Sequence, residues 1–468
     1  MIPRRRFLGN LTAGLTALGM GTKIRADDII APVDGAANQA LTRGYVEKFI
    51  KTPKARYIPK NTIEAQAALQ QVLKNRAEFV IQSSGHCFAG LSQSADTIID
   101  LRGFKGIRVD RQNGIIHAGP GVTISDVNRV LSPLNKITPV GTCPTVALGG
   151  LVTGGGYGST MRQLGLACDN LMSAEIITAK GEVLEVNADS HADLYWALRG
   201  GGGSSFGLVT RLSLKLHDAP DPRAVLFPIQ GTEQAMIDWM LGMTDVIKSA
   251  PANMDIYVRS LPVAGQNSLK SFEVQLTNID DEAGMRKISK QIFDLGLSAG
   301  EPSLHQGSLT AMTDALFTKP YPTVKYAIRH SYLSGPLDHA AWKSFLKEVF
   351  SHSDRFAGFN LRALGGVSAE PLSGDTAFAH RDAFGLLQYY AWEDTPEDAD
   401  AVTGILDRME RAVARATQPG QFLNYADRRL ENYGQDYWAG NYPRLQNVKA
   451  QYDPQNIFNH PQSVQLPS

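Results

Sequence analysis

Gly149-Gly150-Leu151-Val152-Thr153-Gly154-Gly155-Gly156-Tyr157-Gly158 sets six glycines in ten residues. Backbone without Cβ atoms lets a ligand come close and lets several N–H groups face one anion. A second such run, Ser83-Ser84-Gly85-His86-Cys87-Phe88-Ala89-Gly90, follows the apolar triplet Phe79-Val80-Ile81. Either run alone is equally well a tight turn. The pair together suits an extended dinucleotide. A Rossmann site wants one G-x-G-x-x-G between strand and helix, with an acid about 20 residues on. Neither run has that context.

Outward from these loops the pattern is mixed. Asn61 caps a helix with Glu64 three residues on, and Ala65, Ala68, Leu69, Val72 and Leu73 form its apolar stripe. Phe79 to Ile81 and Thr97 to Leu101 read as strands. Hairpins are expected around Asn113-Gly114 and Lys180-Gly181. Ile124 to Leu131 and Leu194 to Leu198 read as short helices, and Leu212, Leu214 and Leu216 alternate as a strand. Pro220 and Pro222 mark a boundary. Beyond it, strand-like runs cover Asp255 to Arg259, Phe272 to Leu276, Ala327 to Leu333, Phe359 to Leu364 and Gly385 to Trp392. Helix-like runs cover Gln234 to Lys248, Glu282 to Leu295, Ala341 to Phe350 and Glu397 to Ala416. This predicts an antiparallel sheet backed by helices on one face, within an α+β fold. Tyr442, Leu445, Val448 and Tyr452 fall at helical spacing, and Asp453-Pro454 ends that helix.

The chain has 468 residues, enough for two cores, and equal numbers, 46 each, of basic and acidic residues. That balance gives no basic surface for nucleic acid. Its three cysteines, Cys87, Cys143 and Cys168, make neither a disulfide framework nor a C-x-x-C pair. His117, His191 and His305 have no ligand spacing, so no metal is expected. At the N-terminus, Arg4-Arg5-Arg6-Phe7-Leu8 precedes a mild Gly/Ala/Thr/Leu run to Met20. Twin arginines there resemble a Tat export signal over residues 1–26, with cleavage near Ala26 and transient use of the Tat machinery. The run is too short to span a bilayer, no other stretch is apolar enough, and a periplasmic or secreted protein without stable membrane insertion is expected.

A series of motifs sharpens the reading. Gly85-His86 with Gly90-Leu91-Ser92 comes first, then Gly141-Thr142-Cys143-Pro144-Thr145-Val146, the glycine stretch quoted above, Arg199-Gly200-Gly201-Gly202-Gly203, and Phe206-Gly207-Leu208-Val209-Thr210. The tail adds Asn441-Tyr442-Pro443-Arg444-Leu445 and Tyr452-Asp453-Pro454-Gln455-Asn456-Ile457-Phe458. From near Tyr45 almost to the C-terminus the chain resembles berberine-bridge-enzyme-like FAD-linked oxidases, of the p-cresol-methylhydroxylase / vanillyl-alcohol-oxidase (PCMH) flavin fold. The resemblance implies a two-subdomain FAD-binding domain over residues 45–219, a substrate-binding domain over 220–418, and a berberine-like segment over 419–468 that returns to the FAD domain. It implies FAD bonded twice, through its 8α-methyl to His86 and through C6 to Cys143. Imidazole and thiolate are fitting nucleophiles for an electron-poor isoalloxazine. The other implied flavin contacts are Ser83, Ser84, Gly85, Gly90 and Ser92 in the first loop, then Gly141, Thr142, Gly149, Gly150, Gly154, Gly155, Tyr157, Gly158, Gly207 and Val209. Val146 matches a flavin-side position where a small valine goes with oxygen reactivity.

Oxidising an alcohol by hydride transfer needs a base for the hydroxyl proton, and a tyrosine serves only if its neighbours lower its pKa from about 10. Phe422-Leu423-Asn424-Tyr425 resembles the family's Y-x-N-Y, which makes Tyr425 the implied base. Gln388 matches a flavin-adjacent glutamine. Two departures stand out. The plant alcohol-oxidising members carry a lysine where this chain has Leu386, and a tyrosine where it has Leu164; both help hold a tyrosinate. Trp392, Tyr389, Tyr326 and Tyr332 are candidates for stacking a sugar or aromatic ring. The expected activity is an oxidase taking hydride from a sugar or other alcohol, with O2 reduced to H2O2. The alternatives are a dehydrogenase or oxidative cyclase on an aromatic or secondary metabolite with a non-oxygen acceptor, and a flavin-binding protein without activity.

Overall fold

The computed structural model describes residues 44–261, 270–307, 323–352, 357–393 and 395–467. The export signal expected over residues 1–26 lies outside them. The fold is α+β. In the first half, strands Ala55–Tyr57, Phe79–Gln82 and Thr97–Asp100 form a small parallel sheet with Thr97–Asp100 in the centre. The helix Thr62–Asn75 crosses between its first two strands, and Asn61 caps it by accepting from the Glu64 N–H at 2.9 Å. A five-stranded antiparallel sheet follows, in the order Ile107–Asp110, Ile115–Ala118, Leu208–Lys215, Leu171–Ile177, Val183–Asn187. Both expected hairpins form there, and Gly114 and Gly181 supply the positive φ that their turns need.

The second half is an eight-stranded antiparallel sheet. Its order is Ser303–Gln306, Arg223–Gly231, Lys270–Asn278, Asp255–Leu261, Ala357–Ala363, Gly385–Trp392, Tyr326–Leu333, Thr417–Gln418. Helices Glu233–Ser249, Glu282–Asp294, His339–Ser351 and Ala399–Val413 cover one face, and Met240, Ile288, Phe345 and Met409 meet Val258, Phe272, Phe359 and Tyr389 in one core. The strand Arg223–Gly231 was not expected from sequence, where Pro220 and Pro222 mark a boundary. Pro228 sits past the four residues that pair with Ser303–Gln306, on a stretch where only one flanking ladder is continuous.

The tail packs back onto the first half. Trp438, Leu445 and Val448 join the core of the five-stranded sheet, and the Trp438 indole N–H donates to the Gly200 carbonyl at 3.1 Å. The Asp453-Pro454 stop is explained by its carboxylate, which accepts from the Ile457 and Phe458 N–H groups, each at 2.8 Å. Among the described residues no helix is long and apolar enough to cross a membrane.

Candidate active site

The uncovered face of the eight-stranded sheet and the glycine loops of the first half enclose one cavity of about 590 Å³, within the range typical of small-molecule and cofactor sites. The loop Ser83–His86 leaves the strand Phe79–Gln82, with Gly85 at φ 80°. Ser84 Oγ accepts from the Ala147 N–H at 3.0 Å, which ties this loop to the second glycine segment. That segment starts the short helix Leu148–Thr153. A side chain at Gly149 would strike Ser83 Oγ and Pro120, so glycine is needed for the two loops to meet. The Gly200 and Gly202 N–H groups both donate to the Thr153 carbonyl, at 3.1 and 2.9 Å, and bring Gly201 to Ser205 to the same wall.

Seventeen of the expected site residues line this cavity: Ser83, Ser84, Gly85, His86, Ser92, Gly141, Thr142, Cys143, Val146, Gly149, Gly150, Gly154, Tyr157, Gly207, Val209, Gln388 and Tyr425. Gly90, Gly155 and Gly158 are not on its wall. Their lack of a side chain serves packing instead: Gly90 against Phe49, Gly155 against Phe378 and Phe422, Gly158 against the Val140 carbonyl.

His86 and Cys143 meet at one atom. His86 Nε2 lies 3.0 Å from Thr145 Oγ1, and Cys143 Sγ lies 3.7 Å from the same hydroxyl. The His86 ring stacks on Tyr45 with centroids 4.7 Å apart. Burial lowers the His86 pKa to about 4, so its imidazole is neutral and nucleophilic at physiological pH. Burial raises the Cys143 thiol, and hydrogen bonds from Thr145 and Val146 pull it partly back.

The opposite wall follows the pleat of the sheet. Side chains alternate between the helix-covered core and the cavity. Phe359, Leu361, Leu387, Tyr389 and Ala391 enter the core, whereas Tyr257, Arg259, Asn360, Gln388, Tyr390, Trp392 and Tyr326 face the cavity. Two of the four aromatics expected to stack a substrate are therefore misassigned. Tyr389 is fully buried in the helix-backed core, and Tyr332 in a cluster with Phe378 and Phe422. Tyr390 and Tyr257 take the wall positions. The parity of Gln388 and Trp392 carried that signal for Tyr390. Gln388 is oriented by Asn360, whose Nδ2 donates to Gln388 Oε1 at 2.8 Å; the Gln388 Nε2 is buried and has no protein acceptor.

Tyr425 stands where the two walls meet. The Phe422 N–H donates to His330 Nε2 at 2.7 Å, which keeps that nitrogen unprotonated and anchors the turn; burial lowers the His330 pKa to about 3. Asn424, missed in the sequence reading as a site residue, clamps the glycine helix: its Nδ2 donates to the Gly150 carbonyl at 2.8 Å and its Oδ1 accepts from the Gly156 N–H at 3.0 Å. Side-chain crowding at Gly154 would displace it. The Tyr425 ring packs edge-on against Phe88, Phe422 and His330. Burial pushes its phenol up to about 12, Tyr257 adding and the Arg362 charge opposing. Leu164 is off the cavity wall, packed with Ile137, Ala219 and Ile279; Leu386 is buried beside Tyr157 and Phe422.

FAD fits these residues. Glycines bring the backbone to the cavity wall, Ser92 Oγ and Gln388 Nε2 are polar atoms on it without protein partners, and a neutral imidazole and a thiol converge at one place. Among the described residues no group of three or more His, Cys, Asp or Glu is arranged to hold a metal ion.

Fold and cavity are those of an FAD-linked oxidoreductase of the PCMH type. Residues 53–187 match the family described as FAD binding domain, and residues 421–465 that described as berberine and berberine like. The FAD-linked oxidoreductase YvdP of Bacillus subtilis is 27% identical over 422 residues, 86% of this chain and 90% of that protein. Reticuline oxidase of Eschscholzia californica is 25% identical over 465 residues, 90% of this chain and 84% of that protein. The crystal structure of the carbohydrate oxidase from Microdochium nivale, in complex with a substrate analogue, aligns with a TM-score of 0.82 at 23% identity, over 98% of this chain and 100% of that chain. Along most of its length the chain is thus similar to berberine-bridge-enzyme-like FAD-linked oxidoreductases.

Proposed function

We propose that this enzyme is an oxidase of a sugar or another alcohol, with its FAD held by two covalent bonds, to His86 and to Cys143. The carrying observation is a single cavity lined by Tyr425, Gln388 and Val146 together with His86 and Cys143. When bound, FAD supplies the two-electron acceptor for the hydride that leaves the substrate carbon. Tyr425 accepts the hydroxyl proton as the carbonyl forms. Gln388, with its oxygen occupied by Asn360, offers its N–H2 to a polar atom in the cavity. Tyr326, Tyr390 and Trp392 form an aromatic wall against which a sugar face packs. In the overall balance, one alcohol and one O2 give one carbonyl compound and one H2O2. Val146, a small side chain on the cavity wall, would leave room for oxygen next to a bound flavin. A sugar substrate has the support of the carbohydrate-oxidase likeness, and the same aromatic wall suits the second reading, an aromatic metabolite as for reticuline oxidase.

The function is tested by mixing holoprotein anaerobically with a panel of sugars, alcohols and phenols, watching the flavin bleach, then admitting air. Bleaching by a sugar or alcohol with rapid recovery and one H2O2 per turnover is expected. Slow recovery in air would overturn the oxidase assignment, and bleaching by phenols alone the substrate class.

For the linkage, acid-denatured protein is expected to stay yellow. His86→Ala keeps its flavin through Cys143, and His86→Ala/Cys143→Ala releases it on denaturation. Release from His86→Ala alone would remove the second bond.

We also propose that the enzyme is exported by the Tat route. N-terminal sequencing of protein recovered outside the cytoplasm should begin after Ala26; an N-terminus that retains Arg4-Arg5 would refute processing there.

A further inference from the structure

We propose that the substrate carries a carboxylate, and that Arg259 on the sheet wall of the cavity selects it. The inference rests on the reading of this cavity as the place where a sugar or other alcohol is oxidised. Glu273, Arg259, Asn360, Gln388 and His330 stand directly opposite one another on five successive strands of the eight-stranded sheet. They make a polar row with aromatic rings beside it. Tyr257 stands two residues before Arg259, and Tyr390 two after Gln388, both on the cavity wall. Neighbouring strands are about 4.8 Å apart, so two strands separate Arg259 from Gln388 by roughly 10 Å. Gln388 and Tyr425 mark the reacting end of the cavity, and Arg259 lies away from it along the row.

Among the described residues Arg259 is the one on the cavity wall with a full charge at neutral pH. No Asp, Glu or Lys lines the cavity, and burial keeps its two histidines, His86 and His460, neutral. An anionic group that enters such a cavity loses its water, and only a partner of opposite charge offsets that loss. A substrate carboxylate therefore has one favourable place on this wall.

Arg259 has donors to spare. A guanidinium offers five N–H groups in a planar fork that matches a carboxylate by two parallel hydrogen bonds. Its one ion pair among the described residues is with Glu273, whose Oε1 lies 2.8 Å from Nη2, and its Nε is buried without an acceptor. The side chain is 21% exposed, so a ligand can reach it. Glu273 stands on the neighbouring strand Lys270–Asn278 and is off the wall, and the same Oε1 accepts from Gln275 Nε2 at 2.8 Å. It fixes the guanidinium while leaving the cation nearer the cavity than its counter-ion. The glycine loops, whose N–H groups suit a pyrophosphate, are on the opposite wall, so the cofactor does not need this arginine.

The test compares acids with their own methyl esters, which keep the shape and lose the charge. Holoprotein is given glucuronate and digalacturonate, each beside its methyl ester, with neutral sugars and alcohols alongside, and kcat/KM is read from flavin bleaching and turnover. The acid is expected to be preferred about tenfold or more, the worth of one hydrogen bond to a charged group. Arg259→Met is expected to bring the acid-to-ester ratio to about one, through a higher KM for the acid. Arg259→Lys should keep part of the preference. Glu273→Gln is expected to widen the ratio, because the substrate then supplies the only counter-charge, and it serves if Arg259→Met does not fold. A merely structural pair would instead lower acid and ester alike in every variant. Equal use of acid and ester by the wild type, oxidation of neutral compounds but of neither acid, or a ratio unmoved by Arg259→Met and by Glu273→Gln would overturn the proposal. A flavin bleached by no sugar or alcohol, charged or neutral, would overturn the function on which it rests.

Discussion

Tyr425→Phe is expected to lower kcat/KM by about 10²–10⁴-fold, the usual worth of a positioned general base, and to leave the flavin bound. The phenol has no part in holding the two glycine loops; Asn424, Gly149 and Gly200 do that. The variant keeps the ring and its edge contacts with Phe88, Phe422 and His330, so lost activity would report the hydroxyl. The pH profile gives the sign. A base must be deprotonated to act, and burial pushes the Tyr425 phenol up to about 12 despite the opposing Arg362 charge. Through the neutral and mildly alkaline range only a small fraction is phenolate, and that fraction grows about tenfold per pH unit. Wild-type kcat/KM is expected to climb with that slope, and Tyr425→Phe to flatten it. A flat wild-type profile from neutral to alkaline pH would mean that the substrate proton leaves by another route.

The second large effect is on stability. Lys449 is fully buried and donates to the Ser205 carbonyl, the Phe458 carbonyl and Asp453 Oδ2, each at 2.7 Å. This one ammonium joins the tail helix Tyr442–Tyr452, the turn after it and the Ser204–Ser205 wall of the cavity. Lys449→Met strips the buried Asp453 carboxylate of its counter-charge, at a cost of about 3–5 kcal/mol. Chemical denaturation should show that loss, and the apoprotein should bind FAD more weakly because the Ser205 carbonyl loses its tether. Lys449→Met/Asp453→Asn is expected to recover part of it, since the charge is gone and one acceptor remains for the Ile457 or Phe458 N–H. Wild-type stability in the single variant would show that water reaches the carboxylate.

Local chemistry was legible in the chain. Asn61 and Glu64 at a helix start, Asn113-Gly114 between alternating strands and Asp453-Pro454 at a helix end read correctly, because each interaction closes within a few residues. The glycine loops were legible too, since only close approach of backbone explains so many missing side chains in two places. What stayed hidden spans long separations. Tyr389 and Tyr390 are neighbours in sequence, and only the side on which the helices pack sends one into the core and the other to the cavity. Arg362 stands opposite Leu386 through strand register, and Asn424 reaches Gly150 from 274 residues away.

The glycine segment 149–158 shows the division most clearly. The sequence by itself determined that backbone there must come close to something, because six positions lack the atom that would prevent it. Only the tertiary structure decided what comes close: Ser83 at Gly149, Asn424 at Gly154, the Phe378 and Phe422 rings at Gly155, the Val140 carbonyl at Gly158. A missing Cβ is a property of one residue, whereas the atom that takes its place arrives by packing from elsewhere in the chain.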